Sequence, residues 1–198
     1  MVFSSDNRKT LECRAKNPAL PQALETSHEM NVYFPPERPV IHGLDSEGLV
    51  KKGTLLRLVC VSHGGNPLAT LQWTMSGTVL STTWEVETMM QRSSSRVNLL
   101  IEPKNNQAEL RCEGVNQVSP SPLYDSRKIT VLFEPEDVQV LGKFEAKEGE
   151  EVTLSCYTSS SNPPVQIRWW LGFKELNNYT VFVSEVRHLL RRTYYYIG

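Results

Sequence analysis

The sequence predicts an all-β chain that folds into tandem two-sheet sandwiches, and three observations carry this prediction. The first is a repeated offset, because a tryptophan stands thirteen residues after a cysteine in the pairs Cys60–Trp73 and Cys156–Trp169. The second is a sequence repeat of about 100 residues, which is the size of one sandwich domain. The third is a series of short, alternating apolar segments separated by turn residues, without an apolar stripe of helical length.

Landmarks other than the cysteine–tryptophan pairs agree on the length of the repeat. Cys13 and Cys112 are 99 residues apart, and so are Phe34 and Phe133. The two cysteines open similar strings, CRAKN and CEGVN, and each phenylalanine runs into a linker that contains proline. Because independent landmarks give one period, they indicate repeated domains.

Strand alternation is clearest between residues 55 and 133. Apolar side chains at every second position predict strands with one buried face. The string HGGNP contains Gly, Asn and Pro, which suit a tight turn between two such strands. The strings MNVYF and ITVLF are predicted to be the last strands of two successive repeats. The residues predicted to face inward in the middle repeat are Leu56, Leu58, Cys60, Leu71, Trp73, Leu110 and Cys112.

Composition and charge exclude several classes of function. The formal net charge is −1, so the chain carries no overall field that would attract nucleic acid or anionic lipid. No stretch reaches the roughly 18 consecutive apolar residues of a membrane span. The first residues, MVFSSDNRKTLEC, lack the charged and apolar regions of a signal peptide. We therefore expect that Met1 is not the true start of the parent protein, or that the chain is a fragment.

The residues that carry the repeat resemble the immunoglobulin superfamily in its I-set or C2-like form. A closer resemblance is to the nephrin group of cell-adhesion receptors, which includes the insect proteins Hibris and Sticks-and-stones. It lies in DNRKTLECRAKNP, FPPERPVIHG, LRLVCVSHGGNPLATLQW and LSCYTSSSNPPVQIRWWLG, and the generic motifs cover residues 1 to about 175. Leu11 and Leu110 stand two residues before a cysteine, where the tyrosine corner would place tyrosine. This departure favours a C2-like variant.

The resemblance implies three immunoglobulin-like domains. Residues 1–34 would be the C-terminal part of one domain, 35–134 a complete domain, and 135–198 the N-terminal part of a third. An isolated pair of strands is marginally stable at best, so residues 1–34 are not expected to fold alone.

The resemblance also implies how the four cysteines behave. Cys60 and Cys112 would form a disulfide that joins the two sheets, with Trp73 against the sulfurs and Trp169 in the matching core position. Cys13 and Cys156 would lack a partner in this chain. Only 12 residues precede Cys13, and the partner of Cys156 is expected roughly 52 residues further on.

A search for catalytic and metal-binding patterns gives little. The four histidines, His28, His42, His63 and His188, are scattered, and no Cys-x-x-Cys pair exists. Phosphate-binding loops and Gly-x-Ser-x-Gly elbows are also absent from the sequence. No histidine-bearing motif accompanies the two unpaired cysteines, so a thiol nucleophile is disfavoured. We therefore expect no enzymatic activity, no cofactor and no metal.

Three surface features are candidates for other roles. Asn178 begins the sequon Asn-Tyr-Thr, which would be a glycosylation site in a secreted protein. Trp84 is a candidate for an exposed aromatic residue at a contact surface, with core or rim packing as the alternative. Residues 181–198 are basic and aromatic, which suits a partner-binding or membrane-facing segment. The alternatives are an ordinary strand region or residues read past a splice boundary.

The functional prediction is a non-catalytic extracellular segment of an immunoglobulin-superfamily adhesion receptor that mediates cell–cell recognition. Its expected partners are other adhesion proteins of this superfamily on the same or apposed cells, with a membrane anchor outside this chain. One alternative is the ectodomain of a receptor kinase or phosphatase. Another is an intracellular, muscle-type immunoglobulin array, in which the paired cysteines would stay reduced.

Overall fold

The computed structural model describes residues 1–19, 22–150, 152–176, 179–182 and 192–197, the last two ranges through their backbone alone. Strands dominate this part of the chain, which confirms the predicted all-β fold. Its helical elements are single 3₁₀ turns: Ser4–Asp6, Thr88–Met90 and Pro103–Asn105. None of the helical elements in these ranges is long and apolar enough to cross a bilayer.

The strands of the described residues are numbered in chain order. They are β1 (Thr10–Ala15), β2 (Leu24–Glu29), β3 (Val40–His42), β4 (Leu49–Lys51), β5 (Leu55–His63), β6 (Thr70–Met75), β7 (Thr78–Ser81), β8 (Glu85–Glu87), β9 (Arg92–Leu100), β10 (Glu109–Val115), β11 (Leu123–Lys128), β12 (Thr130–Leu132), β13 (Val138–Gly142), β14 (Val152–Thr158), β15 (Trp169–Leu171), β16 (Lys174–Leu176), β17 (Tyr179–Phe182) and β18 (Arg192–Ile197).

The chain divides into two compact units that do not follow the repeat boundaries. The predicted three domains, 1–34, 35–134 and 135–198, therefore stay a prediction. The first unit comprises Met1–Gly48, Leu55–Leu100 and Gln107–Ile129, and the second comprises Leu49–Thr54, Ile101–Asn106 and Thr130–Gly198.

Two four-stranded sheets form the body of the first unit. One sheet has the strand order β3-β5-β9-β8 and the other β11-β10-β6-β7. Within them β5 pairs antiparallel with β9, and β10 pairs antiparallel with β6, so that Cys112 lies opposite Trp73. All seven residues predicted to face inward are buried. Alternating side chains of β5 and β10 therefore supply the apolar layer between the two sheets.

A separate hairpin, β1 with β2, also belongs to the first unit. Its strands pair antiparallel, with Cys13 opposite Thr26. All twelve residues of the two strands are exposed. The alternation of β1 therefore marks a face that has no covering layer among the described residues.

Three further sheets lie in the second unit. β4 and β12 pair in parallel, β15 pairs with β16, and the third sheet has the order β13-β14-β18-β17. Cys156 lies on β14 and is buried.

One predicted strand is missing. No strand forms over MNVYF, and the pairing there is a single antiparallel bridge between Phe34 and Asn66. The matching string ITVLF contains β12, which is a strand because β4 provides a ladder partner.

Candidate recognition surface

A disulfide joins the two sheets of the first unit. Cys60 on β5 and Cys112 on β10 are bonded, with their Cα atoms 6.4 Å apart, and both are fully buried together with Trp73. The predicted disulfide is therefore present. Closing a loop of 52 residues lowers the conformational entropy of the unfolded chain. In the chain-entropy model, this stabilises the folded state by about 4 kcal/mol.

Two linked hydrogen bonds inside the sandwich provide an acceptor for the indole N–H of Trp73. The indole Nε1 of Trp73 donates to Ser95 Oγ at 3.1 Å, and this hydroxyl donates to the carbonyl oxygen of Thr83 at 2.5 Å. A buried indole N–H needs an acceptor, and β9 supplies it. The sequence did not reveal this role because the run Ser93–Ser95 lacks the apolar character expected of a core strand.

The two free cysteines differ in environment. Cys13 on β1 is exposed, whereas Cys156 on β14 is buried. Burial raises the pKa of the Cys156 thiol. A thiol with a raised pKa carries little thiolate near neutral pH, so Cys156 is a poor nucleophile.

The other predicted residues have mixed positions. Trp169 on β15 is half-buried rather than enclosed, so its core role stays a prediction. Asn178 lies outside the described residues, as does most of 181–198 apart from the backbone of β17 and β18. Among the described ranges, no three His, Cys, Asp or Glu side chains are grouped as a metal site would require.

One edge of the sandwich is closed by polar contacts. β3 and β11 lie at this edge, and Asp125 Oδ2 accepts a hydrogen bond from the backbone N–H of Ile41 at 3.0 Å. On the outer surface of β10 and β11, the Arg111 guanidinium stacks over the Tyr124 ring at 3.6 Å from the centroid. Arg111 also pairs with Glu113, Nε to Oε1, at 2.8 Å. Arg111 thus contacts both Tyr124 and Glu113 within the same chain.

The opposite edge carries apolar side chains without cover. β7 and β8 end the two sheets there, and they are joined through residues 82–84. Trp84 is 41% exposed and Met89 is 98% exposed. We name this surface the β7–β8 edge, and its exposed apolar residues are Val79, Trp84, Val86, Met89 and Met90.

Ion pairs border the apolar part of the β7–β8 edge. Arg92 donates to Glu87 at 2.7 Å, and Arg96 donates to Glu85 at 2.9 Å. The hydrogen bond from Arg92 lowers the pKa of Glu87. An apolar centre beside charged groups is typical of protein-recognition surfaces.

Comparison with known proteins identifies the class of the fold. A family model for the CD80-like C2-set immunoglobulin domain matches residues 133–190. The full ectodomain of mouse nectin-like molecule 4 superposes with a TM-score of 0.54 at 21% identity, covering 91% of this chain and 70% of that one. An I-band fragment of titin gives 0.51 at 20% identity, covering 93% of this chain and 62% of the fragment. The protein is a chain of tandem immunoglobulin-like sandwiches.

Within this class, the chain resembles nephrin. Human nephrin is 43% identical over 175 residues, which cover 87% of this chain, and rat nephrin is 41% identical over the same share. The goldfish homologue of CD166 antigen is 25% identical over 77% of the chain. The chain spans 14% of the length of human nephrin.

Proposed function

We propose that this chain is a non-catalytic, extracellular segment of an adhesion receptor and that it takes part in cell–cell recognition through the β7–β8 edge. The observation that carries the proposal is the exposure of the apolar side chains of the β7–β8 edge, among them Trp84 and Met89. Edge strands that expose apolar side chains are sites where other chains add or pack. The resemblance to nephrin supports adhesion as the parent protein's activity.

The partner we propose is another immunoglobulin-superfamily adhesion protein, on the same cell or on an apposed cell. An apolar centre flanked by the Glu87–Arg92 and Glu85–Arg96 pairs suits a protein surface of mixed charge. The parent receptor would be held in the plasma membrane by a span outside this chain. The disulfide between Cys60 and Cys112 supports an oxidising, extracellular location.

A bead-binding assay tests the recognition surface. Beads that carry the intact chain are mixed with beads that carry either the same chain or the human nephrin ectodomain. We expect aggregation in at least one mixture, and we expect Val86→Glu to reduce it at least tenfold, because the substitution places a charge in the apolar centre.

The matched control is Leu123→Glu, which introduces the same charge on β11 at the opposite edge. Aggregation should be unchanged in this variant. Equal loss in both variants, or no loss with Val86→Glu, would refute the proposed surface.

Peptide mapping without reduction tests the location. Native material should give a linked peptide that contains Cys60 and Cys112. Finding both as free thiols would favour the intracellular array and overturn the extracellular assignment.

A further inference from the structure

A set of four hydrogen-bonded residues occurs twice in this chain. Each set consists of an asparagine after a 3₁₀ turn, a valine and a phenylalanine of the string that ends a repeat, and an asparagine that precedes proline. The first three members of each set are displaced by 99 residues, and the last by 96. The sets are Asn7, Val32, Phe34 and Asn66, and Asn106, Val131, Phe133 and Asn162.

In the first set, both polar groups of the Val32 backbone are held by asparagine amides. The N–H of Val32 donates to Asn7 Oδ1 at 2.9 Å, and its carbonyl oxygen accepts from Asn66 Nδ2 at 2.8 Å. Phe34 and Asn66 exchange two backbone hydrogen bonds of 3.1 and 3.0 Å. The chain is thus fixed at two points two residues apart.

The second set repeats this arrangement atom for atom. The N–H of Val131 donates to Asn106 Oδ1 at 2.9 Å, and its carbonyl oxygen accepts from Asn162 Nδ2 at 2.6 Å. Phe133 and Asn162 exchange two backbone hydrogen bonds, both of 2.9 Å. Asn7 and Asn106 also hold the same position, since each is the C-cap of its 3₁₀ turn with φ of −60° and −62°.

Each set occupies an equivalent position in the sequence repeat, where one repeat ends and the next begins. Asn66 lies between β5 and β6, and Asn162 lies between β14 and β15. These turns are equivalent, because each follows the strand that carries the first cysteine of its repeat. Phe34 and Phe133 end the preceding repeat. Each set therefore bonds the end of one repeat to the first long turn of the next, and each lies wholly within one of the two compact units.

The first set has additional contacts that tighten it. Asn66 Nδ2 also donates to Asn31 Oδ1 at 2.7 Å. Asn116, which is 7% exposed, donates through Nδ2 to the carbonyl oxygens of Phe34 and Pro67, both at 2.8 Å. A Cβ at Gly65 would stand 3.0 Å from Pro36 Cα, so the turn approaches the linker closely.

Asparagine suits both roles because its amide carries an acceptor and a donor on one short, planar group. At positions 7 and 106 the oxygen is used, and at 66 and 162 the nitrogen is used. Val32 lies in no strand, so its backbone groups need partners of this kind. Val131 lies on β12, and its N–H and carbonyl oxygen are likewise bonded to asparagine amides. Asparagine in a turn commonly bonds to backbone groups close to it in sequence. Such local bonding does not explain these hydrogen bonds, whose partners are 25 and 34 residues apart in sequence.

We propose that this Asn–Val–Phe–Asn set is an interaction site for the next repeat of the same chain, and that it locks successive immunoglobulin-like repeats into a stiff array. The partner it fits is a β5–β6-type turn with an Asn–Pro pair. The inference goes beyond the proposed recognition function and holds whatever the β7–β8 edge binds.

Residue-resolved amide exchange in the intact chain tests the lock. Asn66→Asp replaces the donating amide with a carboxylate that faces Val32 O and Asn31 Oδ1. The Phe34 amide should then exchange about tenfold faster, the size expected for losing one net hydrogen bond, while the Phe133 amide is unchanged. Asn162→Asp should have the converse effect.

Two variants keep this test decisive. Asn98→Asp makes the same chemical change at an exposed position of β9 and should alter neither amide. Asn66→Ala removes the donor without adding a charge. It should still increase the exchange rate of the Phe34 amide, but by less than Asn66→Asp does. The lock is refuted if Phe34 is unaffected, or if Phe133 and the core amide of Leu58 accelerate equally, because that pattern reports a general loss of stability.

Solution X-ray scattering tests the stiffness. The double variant Asn66→Ala/Asn162→Ala should broaden the pair-distance distribution relative to the parent chain and to Asn98→Ala. An unchanged distribution together with accelerated Phe34 and Phe133 amides would show that the sets anchor the chain locally without stiffening the array.

Discussion

Two strands of the first unit have the same sequence pattern and opposite environments. Leu110 and Cys112 on β10 are fully buried, whereas Leu11 is 64% exposed and Cys13 is exposed on β1. The two pairs are 99 residues apart in matching strings. β10 lies in a sheet that faces β5 and β9, but β1 is paired with β2 alone. Alternation therefore reports which face of a strand is built for burial, and a second sheet decides whether that face is buried.

The largest difference between the two strands should appear at their cysteines. Cys112→Ala removes the disulfide, so the free energy of unfolding should fall by about 4 kcal/mol. Cys13→Ala removes a free, exposed side chain and should leave the stability unchanged. Thermal unfolding of the intact chain, followed by near-UV circular dichroism, measures both. Equal melting temperatures for Cys112→Ala and the parent chain would contradict a stabilising bridge.

The leucines two positions earlier give the next largest difference. Leu110→Ala leaves a cavity in the sandwich and should cost about 3 kcal/mol. Leu11→Ala should cost less than about 0.5 kcal/mol, because its side chain faces solvent. Urea unfolding of the two variants provides the comparison. A similar cost for both would show that β1 is covered in solution, and would place a further layer over the β1–β2 hairpin.

A polar contact inside the sandwich, between β6 and β9, should have a smaller effect. Ser95→Ala removes the acceptor for Trp73 Nε1 and should destabilise the sandwich by about 1 to 2 kcal/mol. Ser27→Ala on exposed β2 is the matched control and should change stability by less than about 0.5 kcal/mol. Urea unfolding measures both, with tryptophan fluorescence as the signal. If Ser95→Ala were neutral, another group would satisfy the indole.

Sequence reasoning predicted the parts of this fold that depend on local alternation and on the cysteine spacing. Leu58, Cys60 and Trp73 face inward because strand period and landmark residues agree at these positions. Trp84 is exposed, which is one of the two alternatives that the sequence leaves open. The resemblance to nephrin and the tandem sandwich fold are confirmed.

Other features depend on contacts over long distances in sequence and were not predictable. Ser95 reads as a surface residue, and its burial makes sense only once Trp73 is placed against it. Asn66 and Asn162 read as ordinary turn residues, although their amides reach the preceding repeat. The string MNVYF has the composition of a strand but forms none. A strand needs a neighbouring strand for its hydrogen bonds, and the alternation of residues does not reveal whether one is present.

The smallest expected effect is electrostatic and concerns the Glu87–Arg92 ion pair at the β7–β8 edge. Arg92 lowers the pKa of Glu87 in the folded state, so the pair stabilises the fold above the ordinary pKa of a glutamate. This contribution is lost as the pH falls through the lowered folded-state value. Glu87→Gln should therefore make unfolding less dependent on pH between about 5 and 3. Glu85→Gln, at the more exposed pair with Arg96, is the control and should change the pH profile less. Urea unfolding across this pH range distinguishes them, and identical profiles for Glu87→Gln and the parent chain would show that solvent screens the Glu87–Arg92 pair completely.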